Sequence, residues 1–240
     1  MMHQDPKTRS ALQVLIGLSI LLLVTACSSE EKIEPQQQER SGGFTFFDVH
    51  HHTIYSKSLR DRLVDTLSSD AIEYRSTINL EIVQNGFLQQ HFPTIGELNQ
   101  RLNYPAGERI EHPTIKLMYR WSARKNLPFS YVELLFSQDT HKPLYVKIES
   151  IRDISDIFDA LSEKYGQPSL LQLEQNRGEI RYWEDNRDVF LVAILSRRNE
   201  RPLYRMMIYY ADNLEEFIHT EEKKRQEKEE KQKREGRSAF

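Results

Sequence analysis

The chain has 240 residues, 38% hydrophobic and 29% charged, a length that allows one domain or two small ones. Its 33 basic and 36 acidic side chains leave a formal net charge of −3, so no global positive field draws it to nucleic acid. The single cysteine excludes an intramolecular disulfide and a multi-cysteine zinc or iron–sulfur site, and no apolar run reaches the roughly 18 residues of a membrane-spanning helix. Taken in chain order, Lys7 and Arg9 precede an apolar run from Ala11 to Val24, broken only by Gln13, Gly17 and Ser19. As a helix that run would reach only ~21 Å against a ~30 Å hydrocarbon core. Residues 1–26 therefore read as a secretory signal peptide.

Val24-Thr25-Ala26-Cys27 resembles the bacterial lipobox, whose cysteine is acylated and becomes the first residue of the mature chain. The resemblance implies a lipid anchor at Cys27, made stable by several acyl chains. Val24 and Ala26 also suit ordinary signal-peptide cleavage. Ser28 after the cysteine resembles the outer-membrane sorting pattern, which implies a place in the cell envelope facing the periplasm. Residues 27–43 hold one aliphatic side chain and end in Gly-Gly, too little to offset their ordering entropy, so they read as a lipidated tether. Such a segment spans at most ~55 Å.

In 44–92, Leu59, Leu63 and Leu67 have helical spacing, an amphipathic strand with Tyr74, Ile78, Leu80 and Ile82 follows, and Asn85-Gly86 marks a turn. The next two segments, 93–150 and 151–218, read as a repeat. Lys142-Pro143-Leu144-Tyr145 recurs as Arg201-Pro202-Leu203-Tyr204, and Thr94-Ile95 with Leu98 and Leu102 recurs at the same offset as Asp153-Ile154 with Ile157 and Leu161. Thr94 with Glu97 forms a capping-box pattern ahead of the first helix. Three alternating strands follow in the first copy: Leu117, Tyr119 and Trp121; Val132, Leu134 and Phe136; Leu144, Val146 and Ile148. In the second copy Val189 to Leu195 is apolar on both faces, as in a central strand, and the broken phase at Arg205 predicts a bulge in the last strand. Trp121 and Trp183 fall at equivalent places and read as core residues. Residues 219–240 lack an apolar seam and carry acid-first i,i+4 pairs such as Glu230 with Arg234, a charged helical or disordered tail.

The expected fold is α+β: duplicated helix-plus-three-strand units forming an antiparallel sheet with helices on one face. This duplication looks like that of small secreted bacterial αβββ domains such as the β-lactamase inhibitor protein, and of the single-copy small lipoproteins of the outer-membrane assembly machinery. The resemblance implies a fold and no activity.

Chemistry is sparsely marked. His50, His51 and His52 could place two imidazoles on one strand face for zinc or copper, with His91, His112 or His141 as a third ligand, but no metal-site motif accompanies them and a solvated edge strand with incidental histidines is the favoured reading. No phosphate loop, nucleophile elbow, catalytic motif or cofactor motif is present. Two readings follow. The first is a non-catalytic periplasmic binding or assembly lipoprotein, held to the membrane by its N-terminal lipid and to an envelope protein through exposed strand residues, without nucleic acid or cofactor. The contacts would be Lys116, Arg120, Tyr131, Glu133, Tyr145, Lys147, Glu149 and Arg181. The alternative is a metal-dependent enzyme or metal carrier built on His50 and His52.

Overall fold

The computed structural model describes residues 43–174 and 177–238; the stretch read as a signal peptide, Cys27 and the residues up to Gly42 read as a tether lie outside the described residues. Helix α1 (Lys57–Leu67) starts at Ser56, whose hydroxyl accepts from the Leu59 N–H at 3.2 Å, and buries Leu59, Leu63 and Leu67. It leads into β1 (Asp70–Ser76). Helices α2 (Phe87–His91) and α3 (Pro93–Leu102) then precede β2 (His112–Tyr119), β3 (Tyr131–Ser137) and β4 (Pro143–Ser150). The second half repeats the order with α4 (Ser155–Tyr165), β5 (Ser169–Gln172), β6 (Gly178–Asp185), β7 (Asp188–Leu195) and β8 (Leu203–Tyr209), and ends in the long α5 (Ala211–Ser238).

All eight strands form one antiparallel sheet in the order β1-β2-β3-β4-β8-β7-β6-β5. The fold is α+β, and two four-stranded meanders meet at the β4–β8 seam. The antiparallel seam pairs Val146 with Ile208 and Ile148 with Met206. A two-fold that relates antiparallel neighbours stands perpendicular to the sheet and keeps its faces apart, so α1 and α4 should share a face. They do: Leu59, Leu63 and Leu67 join Phe158, Val146, Ile148, Met206 and Ile208 in one core.

Helices also cover the second face, contrary to the expected arrangement with all helices on one side. There α2, α3 and the first turns of α5 bury Phe87, Leu88, Ile95, Leu98, Leu214 and Phe217 against Leu135, Leu191, Met207 and Tyr209. The repeat is therefore drawn differently from the 93–150 and 151–218 reading. Its counterpart to α4 is α1, and residues 77–111, with α2 and α3, are inserted between β1 and β2 of the first copy only. Segment 78–82 alternates Ile78, Leu80 and Ile82 inward without joining the sheet. It crosses the second face, where the Tyr209 hydroxyl donates to the Leu80 carbonyl at 2.6 Å and Arg205 to the Ile82 carbonyl at 3.1 Å. Alternation needs only one wet and one dry side, so a strand-like pattern arose without a strand.

Three further expectations are corrected. β8 pairs regularly on both sides; bulges lie instead between β1 and β2 at Glu73 and Arg75 and in β4, where Leu135 pairs with Tyr145 and Phe136 with Pro143, leaving Leu144 extra and turned to the second face. The Thr94–Glu97 box does not form, since Pro93 already occupies the first helical turn and Phe92 is the cap residue. Trp183 is buried and its indole N–H donates to the Gly166 carbonyl at 2.7 Å, whereas Trp121 lies past the end of β2 and is 52% exposed. Both cores lie between Phe44 and Ile218, and Gly42–Phe240 forms a compact unit by itself.

Candidate functional site: a polar ladder on the second sheet face

Alternation along β2, β3, β4 and β8 sends Ile115, Leu117, Val132, Leu134, Val146, Ile148 and Met206 into the first core, so the residues between them face the other way. Cross-strand register then lines them up. Lys116 stands opposite Glu73, with the ammonium 2.9 Å from the carboxylate. Met118 pairs with Glu133 and Glu133 with Lys147. Tyr131 pairs with Glu149, and Glu149 with Arg205, whose Nε lies 3.2 Å from the carboxylate. None of these residues belongs to either core.

Glu133 is the centre. Tyr131, two residues back on the same strand, donates its hydroxyl to one carboxylate oxygen, and Tyr145 on β4 donates to the other at 2.5 Å. Burial, helped by the neighbouring negative charge, pushes both phenols above their ordinary range, so both stay protonated as donors. The Lys147 ammonium lies 6.0 Å from the centre of the Tyr131 ring and 3.8 Å from Glu149. The result is a half-exposed surface of alternating sign with one rigid carboxylate. Paired opposite charges of this kind fix register and reject wrong partners more than they steer a distant charge.

Six of the eight sequence-predicted contacts, Lys116, Tyr131, Glu133, Tyr145, Lys147 and Glu149, thus share this face. The exposed Arg120 continues the same alternation just past the end of β2. Two were misread. Tyr145 is buried, covered from the α5 side, and its hydroxyl supports the site from beneath. Arg181 faces the first core side, its guanidinium 4.4 Å from the Phe158 ring centre and paired with Glu179 at 2.9 Å. Sequence reasoning missed Glu73 and Arg205. The broken phase at Arg205 was the available signal, because a cation in an otherwise apolar strand needs an acid across from it.

The histidine triplet is a turn, not a strand. His51 turns inward, its Nδ1 3.0 Å from the Asp188 carboxylate, whose other oxygen accepts from the Ala211 N–H at 2.9 Å. Asp188 is buried and its carboxyl is raised above its ordinary value by desolvation, against the pull of His51. Asn213 donates to the His51 carbonyl at 2.8 Å and the Pro143 carbonyl at 3.0 Å. This cluster caps α5 and ties the N-terminal segment to it. The His50 and His52 ring centres are 6.3 Å apart, His91 stacks on Phe87, and His112 is buried against the Leu102 carbonyl. Among the described residues no group of three His, Cys, Asp or Glu side chains is placed to hold a metal ion, and no helix is long and apolar enough to cross a membrane. Comparisons with protein families, curated proteins and solved structures found no match.

Proposed function

We propose that the protein is a lipid-anchored bacterial envelope protein acting as a non-catalytic binding or assembly module, its partner a protein seated on the Glu133 ladder. The ladder is the observation that carries the reading. Glu133 is held by two phenols, one of them buried, and stands opposite Lys147, with the Lys116–Glu73 and Arg205–Glu149 pairs on the same face, an ordered arrangement whose half-buried charges could pair with those of a docked surface. The anchor rests on the lipobox-like Val24-Thr25-Ala26-Cys27 and the apolar run before it.

Each half has its own test. Cys27→Ala should release the protein from salt-washed membranes, and retention there would remove the anchor. A photoreactive residue at Met118 should give one discrete adduct in the envelope, absent from a probe at Lys57 on α1 and lost in Lys116→Glu with Lys147→Glu. Equal, diffuse adducts from both probes would remove the docking surface.

A further inference from the structure

The two ends of the sheet differ in charge. At one end lie the start of β1, the β2–β3 and β7–β8 connections and the residues after β4. Arg120, Arg124 and Lys125 follow β2, Arg152 follows β4, and Arg198 and Arg201 lie between β7 and β8. Among the described residues none of these six has a carboxylate partner. Of the acids at this end, Asp70 pairs with Arg60 and Glu200 with Arg197, while Asp153, Asp156 and Glu174 keep their charge and are outnumbered by the six cations. The opposite end carries Asp139, Asp185, Asp188, Asp212, Glu215 and Glu216, with Lys142, Arg187 and Lys224 bound among them. A chain of net charge −3 therefore holds a local positive pole.

Two large apolar side chains stand out of the positive end. Trp121 is 52% and Ile151 51% exposed, and the Arg124 guanidinium lies 4.6 Å from the centre of the indole. Tryptophan among arginines and lysines suits the headgroup region of a bilayer, where the ring enters the interface and the cations meet phosphates. A pole made only to neutralise phosphates would gain nothing from an exposed isoleucine. We propose that this end of the sheet docks on an anionic phospholipid surface, with Trp121 and Ile151 inserted and the six cations on the headgroups.

This goes beyond the proposed partner surface and rests on the envelope reading only for where the lipid is met. The chain enters the fold at the far end, where the Gly43 N–H donates to Asp185 at 2.7 Å. Docking would hold Gly43 roughly 25 Å from the bilayer, one strand length away, within the ~55 Å span of residues 27–43.

The test uses residues 42–240, which carry both cores and no acyl chain, so the anchor is not involved. The protein should sediment with phosphatidylglycerol-containing vesicles, not with pure phosphatidylcholine, and release with salt. With Trp183 buried, a blue shift in emission would report Trp121. At about fivefold per cation, Arg120→Glu with Arg124→Glu and Lys125→Glu should lower partitioning a hundredfold or more. Arg198→Glu with Arg201→Glu, on a separate hairpin, should act in the same direction, and Trp121→Ser should abolish the shift; melting curves check that each variant is folded. Equal binding to both vesicle types, unaltered binding by both charge variants, or binding to duplex DNA without binding to vesicles would overturn the proposal. Failure of Cys27 acylation would remove the anchor and leave this result unchanged.

Discussion

Glu133 shows how one side chain can organise a surface. Each carboxylate oxygen takes one phenol, and of the two donors Tyr145 is buried while Tyr131 is half exposed. Hydrogen bonds to a charged group contribute about 1.5–3 kcal/mol, so Tyr145→Phe should destabilise the protein by that amount and Tyr131→Phe by less. Chemical denaturation of the two variants measures the difference, and equal small losses would mean that Glu133 is not held from beneath. His112 supplies a second residue-scale effect. Its imidazole is buried between α3 and α5, with Nε2 donating to the Leu102 carbonyl at 2.9 Å and its ring 5.7 Å from that of Phe217. Desolvation outweighs the hydrogen bond and lowers its pKa from 6.5. The unfolded chain therefore takes up this proton first as pH falls. Stability from the neutral ring is complete above about pH 6.5 and is lost as pH drops through the folded value. His112→Gln, which keeps a donor for Leu102, should flatten the fall in melting temperature over that window; an unchanged slope would assign the pH dependence to other groups.

At the scale of elements, α5 changes character along its length. Its first turns are core, and its middle is tied down: Glu222 makes a paired contact with Arg101 at 2.8 and 3.0 Å, Lys224 meets Asp139, and Arg225 donates to the Tyr104 carbonyl. Beyond that the ion pairs run within the helix, such as Arg234 with Glu230. Deleting 228–240 should leave the melting temperature unchanged. Deleting 221–240 should lower it by a few degrees, since partly exposed pairs with one bidentate arginine sum to about 1–2 kcal/mol. Equal midpoints would mean that the middle contacts contribute nothing. Sequence pattern alone placed the Leu59–Leu63–Leu67 face of α1, the central position of β7 and the shared face of most ladder residues, whereas for 219–240 it left helix and disorder open and it gave the helical 211–218 to the second repeat. All depend on periodicity, which side-chain alternation and the helical repeat impose directly. What it could not place was long-range. The match between 94–102 and 153–161 is a likeness of two amphipathic helices, and nothing local says which sheet face each one covers. Trp121 escaped for a related reason: it stands two residues beyond the last paired residue of β2, where alternation no longer dictates burial.

At the largest scale the described residues form a two-fold sheet with one internal addition, besides the terminal helix α5 that the first half lacks. Residues 77–111 leave from Ser76 and return at His112, which are paired neighbours on β1 and β2, and the Ser76 and Thr114 hydroxyls meet there at 2.8 Å. Both ends of the addition thus pass through a single doorway. Replacing it by a short turn would close an ordinary hairpin with strand order and register intact. The excised chain should keep its strand content by circular dichroism while baring Leu191, Met207 and Tyr209, and so should self-associate. A monomeric excision product would mean that α5 alone can cover that face. The sheet is in this sense a chassis with an exchangeable cover. Another segment spliced at the same doorway would put different chemistry over β6, β7 and β8, beside a Glu133 ladder and a positive pole that it need not disturb.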